Sequence, residues 1–316
     1  MNRRQLLLRS AAITVAAAPF AAARRSVAST AAGATAVAAV DVSGAATTAG
    51  ALQPPAQGAI PVAFLISSGA VVIDFCGPWE VFGNVSVSGR SGAAFRLYTV
   101  AETLNPVVAS GGLQIVPHFT FATAPAPKVI VIPAQNGAGE AALEWIRRAS
   151  AGTDVTMSVC TGAFVLARTG MLSGKAATTH HNAYTELAMQ FPDIRVRRGA
   201  RFVEVGNLAT AGGLSSGIDL SLRVVERYFG RAVALRTADY MEYQGKGWTD
   251  PGSNQEYRAR RLSTAARPLC PVCEMDVEPA TAPKSVYRGE TYYFCMPEHK
   301  TLFEATPDRF LEALAS

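Results

Sequence analysis

The chain has 316 residues, 49% of them hydrophobic and 17% charged, which is enough apolar material for a packed core and excludes wholesale disorder. Its formal net charge of +5 and pI of about 9.0 would suit a nucleic acid or an anionic surface, but the positions of the charges argue otherwise. Arg3, Arg4, Arg9, Arg24 and Arg25 sit at the start, the stretch from 268 onward is net acidic, and no lysine-rich run with interleaved aromatics occurs, so no nucleic-acid partner is expected.

Residues 2–8 (Asn-Arg-Arg-Gln-Leu-Leu-Leu) make a positive n-region, followed by a weakly apolar run from Ala11 to Ala23 and small residues suited to cleavage at 21–23. The Arg3-Arg4 pair before leucines resembles a twin-arginine export signal over residues 1–23, which implies a periplasmic or secreted protein. A surface amphipathic helix or an uncleaved anchor is the competing reading. The apolar run is too short to cross a bilayer, so no stable membrane span is expected. Residues 24–57 are rich in Ala, Gly, Ser and Thr, lack aromatics and read as a flexible linker.

Residues 58–245 alternate strand-like and helical patterns. Strands are predicted at Pro61–Ile66, Phe95–Val100, Lys128–Ile132 and Val155–Val159. Helices are predicted at Pro78–Asn84 after a turn at Asp74-Phe75-Cys76-Gly77, at Glu140–Arg148, from Cys160 to about Thr169, and from Leu214. Near-continuous apolar strands separated by helices predict an α/β domain with a mostly parallel sheet. Ligands of such sheets gather at the carboxyl ends of strands, where Cys160, Asp74 and the Pro133–Asn136 loop are expected.

The strand–Cys160–helix junction is the strongest chemical signal. A side chain on such a turn is held out of the sheet, and the helix start behind it offers N–H groups that would lower the thiol pKa and bind an oxyanion. Inert packing is the alternative reading of a cysteine after a strand, and Cys76, which lacks such a context, is assigned to that class.

Three segments extend the argument: S-V-C-T-G-A-F-V-L-A from Ser158 toward His180, D-F-x-G-P-W-E-V-F at Asp74–Phe82, and T-A-G-G-L-S-S-G-I-D-L-S-L at Thr210–Leu222. Together they resemble the ThiJ/PfpI branch of the class I glutamine-amidotransferase-like superfamily, nearest to isonitrile hydratases and to the ligand-sensing domains of AraC-type regulators. The resemblance implies a flavodoxin-like α/β sandwich, usually a homodimer, that takes a small-molecule substrate without a cofactor. It also implies Cys160 as nucleophile, Thr161 as hydroxyl and N–H donor, and Asp74 as proton shuttle for hydration of an isonitrile to a formamide. Asp74 could instead be a helix N-cap. His180, after a short strand at Ala177–Thr179, is open to a catalytic or a structural role, and Asp219 is read as structural. One departure stands out. The family loop facing the nucleophile usually reads P-G-G, with a glycine N–H in the oxyanion hole, whereas here Pro133-Ala134-Gln135-Asn136-Gly137 brings in side chains.

After a linker at 246–267, residues 268–316 hold Cys270, Cys273, Cys295 and His299, a CxxC knuckle and a Cys-x-x-x-His pair with metal-ligand spacing. Thiolates with one imidazole suit zinc or copper(I); a disulfide is the competing reading for an exported protein. Met275 and Met296 are expected in the core. The pattern C-P-V-C-x-M-x-V…Y-Y-F-C-x-x-x-H-K resembles a YHS domain, a small α+β module associated with heavy-metal ions. It departs from that domain at Glu274, where Gly is common, and at His299, where a final Cys is common. Hairpin strands are expected at Ser285–Tyr287 and Thr291–Phe294, followed by short helices.

The leading expectation is an exported cysteine-dependent enzyme, a hydratase of the lyase class, tethered to a metal-binding module. The alternative is a non-catalytic periplasmic protein that binds a small ligand or a heavy metal. A regulator is not expected, because no helix-turn-helix pattern follows the domain.

Overall fold

A computed structural model describes residues 49–315; the signal expected at 1–23 and the linker up to residue 48 lie outside the described residues. In chain order the elements are β1 (Ile60–Leu65), α1 (Val72–Gly83), β2 (Phe95–Ala101), the pair β3 (Val107–Val108) and β4 (Gln114–Ile115), β5 (Phe119–Thr120), β6 (Val129–Ile132) and α2 (Glu140–Ser150). There follow β7 (Val155–Val159), α3 (Gly162–Arg168), β8 (Ala176–Ala177), α4 (Tyr184–Gln190), β9 (Arg195–Val196), β10 (Phe202–Val205), β11 (Leu208–Ala211), α5 (Ser216–Phe229) and α6 (Arg231–Tyr240). The tail adds β12 (Lys284–Tyr287), β13 (Glu290–Tyr293), α7 (Pro297–Ala305) and α8 (Pro307–Ala315).

Seven strands form one sheet in the order β10-β11-β7-β6-β1-β2-β5, parallel throughout except for the antiparallel β10–β11 pair at one edge. The continuous apolar runs follow from burial on both faces. Val62 and Phe64 of β1 and Val129 and Val131 of β6 pack toward α1, α5 and α6, while Ala63, Leu65, Ile130 and Ile132 pack toward α2 and α3. Alternate residues therefore feed two separate cores, and the polar side chains these strands do carry, Thr156, Ser158, Thr99 and Thr210, are small and buried.

The first helix corrects the sequence reading. Pro78 suggested a helix beginning at that residue, yet α1 starts six residues earlier and carries Pro78 in its interior. Its start is secured from a distance: the Val72 N–H donates to Ser110 Oγ at 3.1 Å, and the Val71 N–H to the Ala134 carbonyl at 2.8 Å. Gly77 lets α1 approach α5, because a Cβ there would stand 2.9 Å from Ile218 Cγ1. The N-cap is Val71, so the capping alternative for Asp74 is set aside.

Part of each expected linker makes contacts with the sheet domain. Residues 49–52 lie along α5: Arg223 and Arg227 donate to the Ala49 and Gly50 carbonyls, and Leu52 packs on the core. The stretch 246–267 is largely exposed but is anchored at Trp248 and Asn254. Trp248 is buried, and its N–H donates to Asp219 Oδ1 at 2.9 Å; Asp219 also pairs with Arg201 and accepts from Tyr243. Asp219 is thus structural, as its sequence position suggested.

The tail is a hairpin and two helices around Phe294, Phe303 and Phe310. Arg288 and Gly289 both take positive φ at the hairpin turn, as a two-residue turn with right-handed strand twist requires. Met275 and Met296 are 36% and 39% exposed, a correction to their expected core placement: the three phenylalanines already fill the interior of this small module.

Candidate functional site

Strand β7 delivers Cys160 at its carboxyl end with φ 57°, a left-handed conformation that strains any side chain with a Cβ. Three contacts hold it there. The Cys160 N–H donates to the Gly212 carbonyl at 2.9 Å, and its own carbonyl accepts from Thr179 Oγ1 at 3.0 Å and from the Ala163 N–H at 3.3 Å. The next residue but one must be glycine, since a Cβ on Gly162 would overlap the Ile132 carbonyl at the end of β6. The elbow is therefore clamped between two strand ends.

Asp74, fully buried in the first turn of α1, faces this cysteine. Its Oδ2 accepts from the Ala134 N–H at 3.1 Å, and Oδ1 has no hydrogen-bond partner among the described residues. Burial raises the Asp74 pKa to about 7, against the opposing pull of the Ala134 N–H and the Cys160 thiol. Burial also pushes the Cys160 thiol up to about 12, and the Asp74 charge adds to the rise; the N–H groups of Thr161 and Leu214 and the Thr161 hydroxyl oppose it. This overturns the expectation of a lowered thiol pKa. The donors of the helix start are present, but they act on a sulfur that is 7% exposed and next to a carboxylate. The resting arrangement is a thiol beside a carboxyl group that changes charge near neutrality.

The structure thus brings Cys160, Asp74 and Thr161 together. It adds Leu214, which the sequence reading passed over; the Gly212-Gly213 pair before it, in a motif already singled out, was the available signal. Leu214 takes φ 49°, which turns its N–H toward the sulfur. His180 sits elsewhere in the arrangement. Its Nδ1 accepts from the Asn182 N–H at 3.3 Å, its ring stacks 4.3 Å from His181, and it fills the space where a Gly213 Cβ would be. Burial lowers its pKa to about 4, with His181 adding to the effect, so the ring is neutral at pH 7. Among the described residues no hydrogen bond joins it to Cys160. In the Pro133–Gly137 loop, the Ala134 N–H is committed to Asp74, and Gln135 Oε1 accepts from the Ser67 N–H at 2.7 Å and hydroxyl at 2.8 Å. The loop holds the Asp74 carboxylate in place.

In the tail, the ligand atoms of Cys270, Cys273, Cys295 and His299 all lie within 4.8 Å of one another. Cys273 and Cys295 sulfurs are 3.4 Å apart, and His299 Nδ1 is 3.2 Å from the Cys295 sulfur and 3.6 Å from that of Cys270. The three cysteines are free thiols. The shared proton with Cys273 and the His299 contact push the Cys270 thiol down to about 4, while the same bond raises Cys273. Burial opposes protonation of His299, yet its contacts with Cys270 and Glu186 outweigh it and raise the pKa to about 10. These contacts favour a thiolate at Cys270 and a protonated ring at His299.

Residues 61–227 match the DJ-1/PfpI family, just over half of the chain. The isonitrile hydratase of Pseudomonas putida is 32% identical over 225 residues, covering 70% of this chain and 94% of that one. This chain belongs to the DJ-1/PfpI family. A ThiJ/PfpI family protein from Pseudomonas syringae superposes on the DJ-1/PfpI domain with a TM-score of 0.54 at 29% identity, covering 60% of this chain and 77% of the other. The HTH-type transcriptional regulator GbdR of Pseudomonas aeruginosa is 28% identical over 171 residues, 50% of this chain and 43% of the regulator. Residues 270–313 match the YHS domain.

The YHS domain's four side chains fit a metal ion. Around a tetrahedral centre with metal–sulfur bonds of about 2.3 Å, sulfurs stand about 3.8 Å apart, close to the separations here. Glu274 explains one departure from the YHS pattern. It takes φ 59°, where glycine would be easiest, but its buried carboxylate accepts from Arg198 at 3.2 and 3.1 Å and from Thr185 Oγ1 at 2.7 Å. Both partners belong to the DJ-1/PfpI domain, so a conformationally unfavourable residue became the clasp between the two domains.

Proposed function

We propose that the DJ-1/PfpI domain hydrates an isonitrile to an N-substituted formamide through a Cys160 adduct. The observation that carries this reading is the Cys160–Asp74 pair, in which a high-pKa thiol adjoins a carboxyl group poised near 7 with one oxygen unpaired. As the Cys160 sulfur adds to the terminal carbon, its proton passes to Asp74 Oδ1 and from there to that carbon, giving a thioimidate. Asp74 then takes a proton from water as the water adds to the same carbon, and the nitrogen gains that proton. The carbon–sulfur bond breaks, the thiol recovers the hydroxyl proton, and R–NH–CHO leaves; the sum is one isonitrile plus one water. The N–H groups of Thr161 and Leu214 are the donors available to the anionic sulfur and to the developing oxyanion. The similarity to the Pseudomonas putida isonitrile hydratase supports the substrate class.

The YHS domain is assigned a zinc or copper(I) ion held by Cys270, Cys273, Cys295 and His299, which would fix the fold of the module. Export through the Arg3-Arg4 signal to the periplasm or beyond, and a homodimer, complete the reading. The test is formamide production from an alkyl isonitrile by wild type, Cys160→Ala and Asp74→Asn. Turnover by wild type that is lost in both variants is expected, whereas no turnover by wild type refutes the enzyme. The 7% exposure of Cys160 and the similarity to the GbdR regulator favour one second reading, a small-ligand binding protein, for which saturable binding without turnover is the signature.

A further inference from the structure

Helix α4 of the DJ-1/PfpI domain presents three residues to the YHS domain from one face. Thr185 bonds Glu274 at 2.7 Å, Met189 packs into the phenylalanine core of the module, and Glu186 stands with Oε2 3.5 Å from His299 Nε2. The other oxygen of Glu186 accepts from Gln190 Nε2 at 2.9 Å, which sets the plane of the carboxylate. His299 points its remaining nitrogen, Nδ1, at the sulfurs of Cys270 and Cys295. Both Glu186 and His299 are largely shielded, with side-chain exposures of 18% and 10%.

We propose that Glu186 is the outer carboxylate of the YHS metal site, orienting His299 for ligation through Nδ1, so that a site whose four ligands all lie in the tail is completed by the other domain. This rests on the metal-binding reading of the tail. An imidazole that binds a metal through one nitrogen nearly always donates its other N–H to a carboxylate, carbonyl or water, which fixes ring orientation and tautomer. His299 has that partner in Glu186, 113 positions away in sequence. The arrangement also accounts for the departure from the YHS pattern at His299: an imidazole at the last ligand position needs an external orienting group that a thiolate does not, and α4 supplies it. Metal loading and docking onto α4 are then thermodynamically linked, each strengthening the other.

The test uses the full chain and Zn²⁺ in competition with a chromophoric chelator, with Co²⁺ absorption as a second readout of thiolate ligation. Glu186→Ala is expected to weaken Zn²⁺ binding by about 10–100-fold, with one ion per chain retained, and Glu186→Asp to recover part of that loss. Met189→Ala, which trims the docking contact and leaves the carboxylate, is expected to change affinity much less. Unchanged affinity in Glu186→Ala overturns the proposal, as does an equal loss in Met189→Ala, since either result leaves the carboxylate no orienting role. A wild-type chain that binds neither Zn²⁺ nor Co²⁺ refutes the metal-binding reading itself, and the role of Glu186 falls with it.

Discussion

Cys160 and Cys270 are both buried thiols, and their neighbours drive them in opposite directions. At the elbow burial, with the Asp74 carboxylate adding to it, keeps the proton on the sulfur up to about 12. In the tail the neighbours are a second thiol and an imidazole, so Cys270 gives its proton up near 4. Burial opposes the thiolate in both places; what differs is whether hydrogen-bond donors to the sulfur outweigh it. The first site keeps its proton on the sulfur. The second favours a thiolate at Cys270.

Asp74→Asn strikes at the elbow half of this contrast most strongly. Turnover should fall by about 10²–10⁴-fold, while the Cys160 pKa should drop, because the like charge is gone; thiolate absorbance against pH reads the second effect. The same variant should be more stable than wild type in alkaline buffer. Asp74 has its folded pKa raised from 3.8 to about 7, so its contribution is fully present below pH 3.8 and is lost as pH rises to 7. The loss is on the order of 4 kcal/mol, and thermal melts at pH 5 and pH 8 should show the gap between variant and wild type widening with pH.

The tail should respond to pH in the opposite sense. His299 must lose a proton held to about pH 10 before its Nδ1 can ligate. Zn²⁺ affinity should therefore rise with pH by about tenfold per unit for each proton displaced, as chelator competition between pH 6 and pH 8 would register. A flat profile would mean that the cluster is already fully deprotonated.

Glu274 separates clasp from strain. Glu274→Ala removes the Arg198 and Thr185 contacts but keeps a Cβ at φ 59°, whereas Glu274→Gly removes the contacts and relieves the backbone. Both should melt below wild type, with the glycine variant about 1–2 kcal/mol more stable than the alanine one. Smallest of all, Thr161→Val removes one hydroxyl from the Cys160 sulfur and leaves the backbone N–H, which should slow turnover by about tenfold.

Much of this molecule was readable in the sequence because the governing patterns are local. β7 was predicted residue for residue, and β1, β2 and β6 to within a residue at each end, because strands buried on both faces are continuously apolar. The same holds for the Cys160 elbow and for the four tail ligands, whose identities and short spacings are chemistry in themselves. Helix α1 was misjudged because its start is secured by Ser110, 38 residues away, which no local capping signal reveals.

Residue types and spacing thus determined the sheet, the strand–Cys160–helix junction and the Cys/His cluster. The tertiary structure alone decided the charge states and the partnerships. A thiol's pKa depends on which groups close around it, and Asp74 reaches Cys160 across 86 positions of sequence. Glu274 meets Thr185 across 89, and His299 meets Glu186 across 113. These contacts exist only because β-sheet order and helix packing bring the segments together, and electrostatic interactions fall off with distance in space, not with separation along the chain.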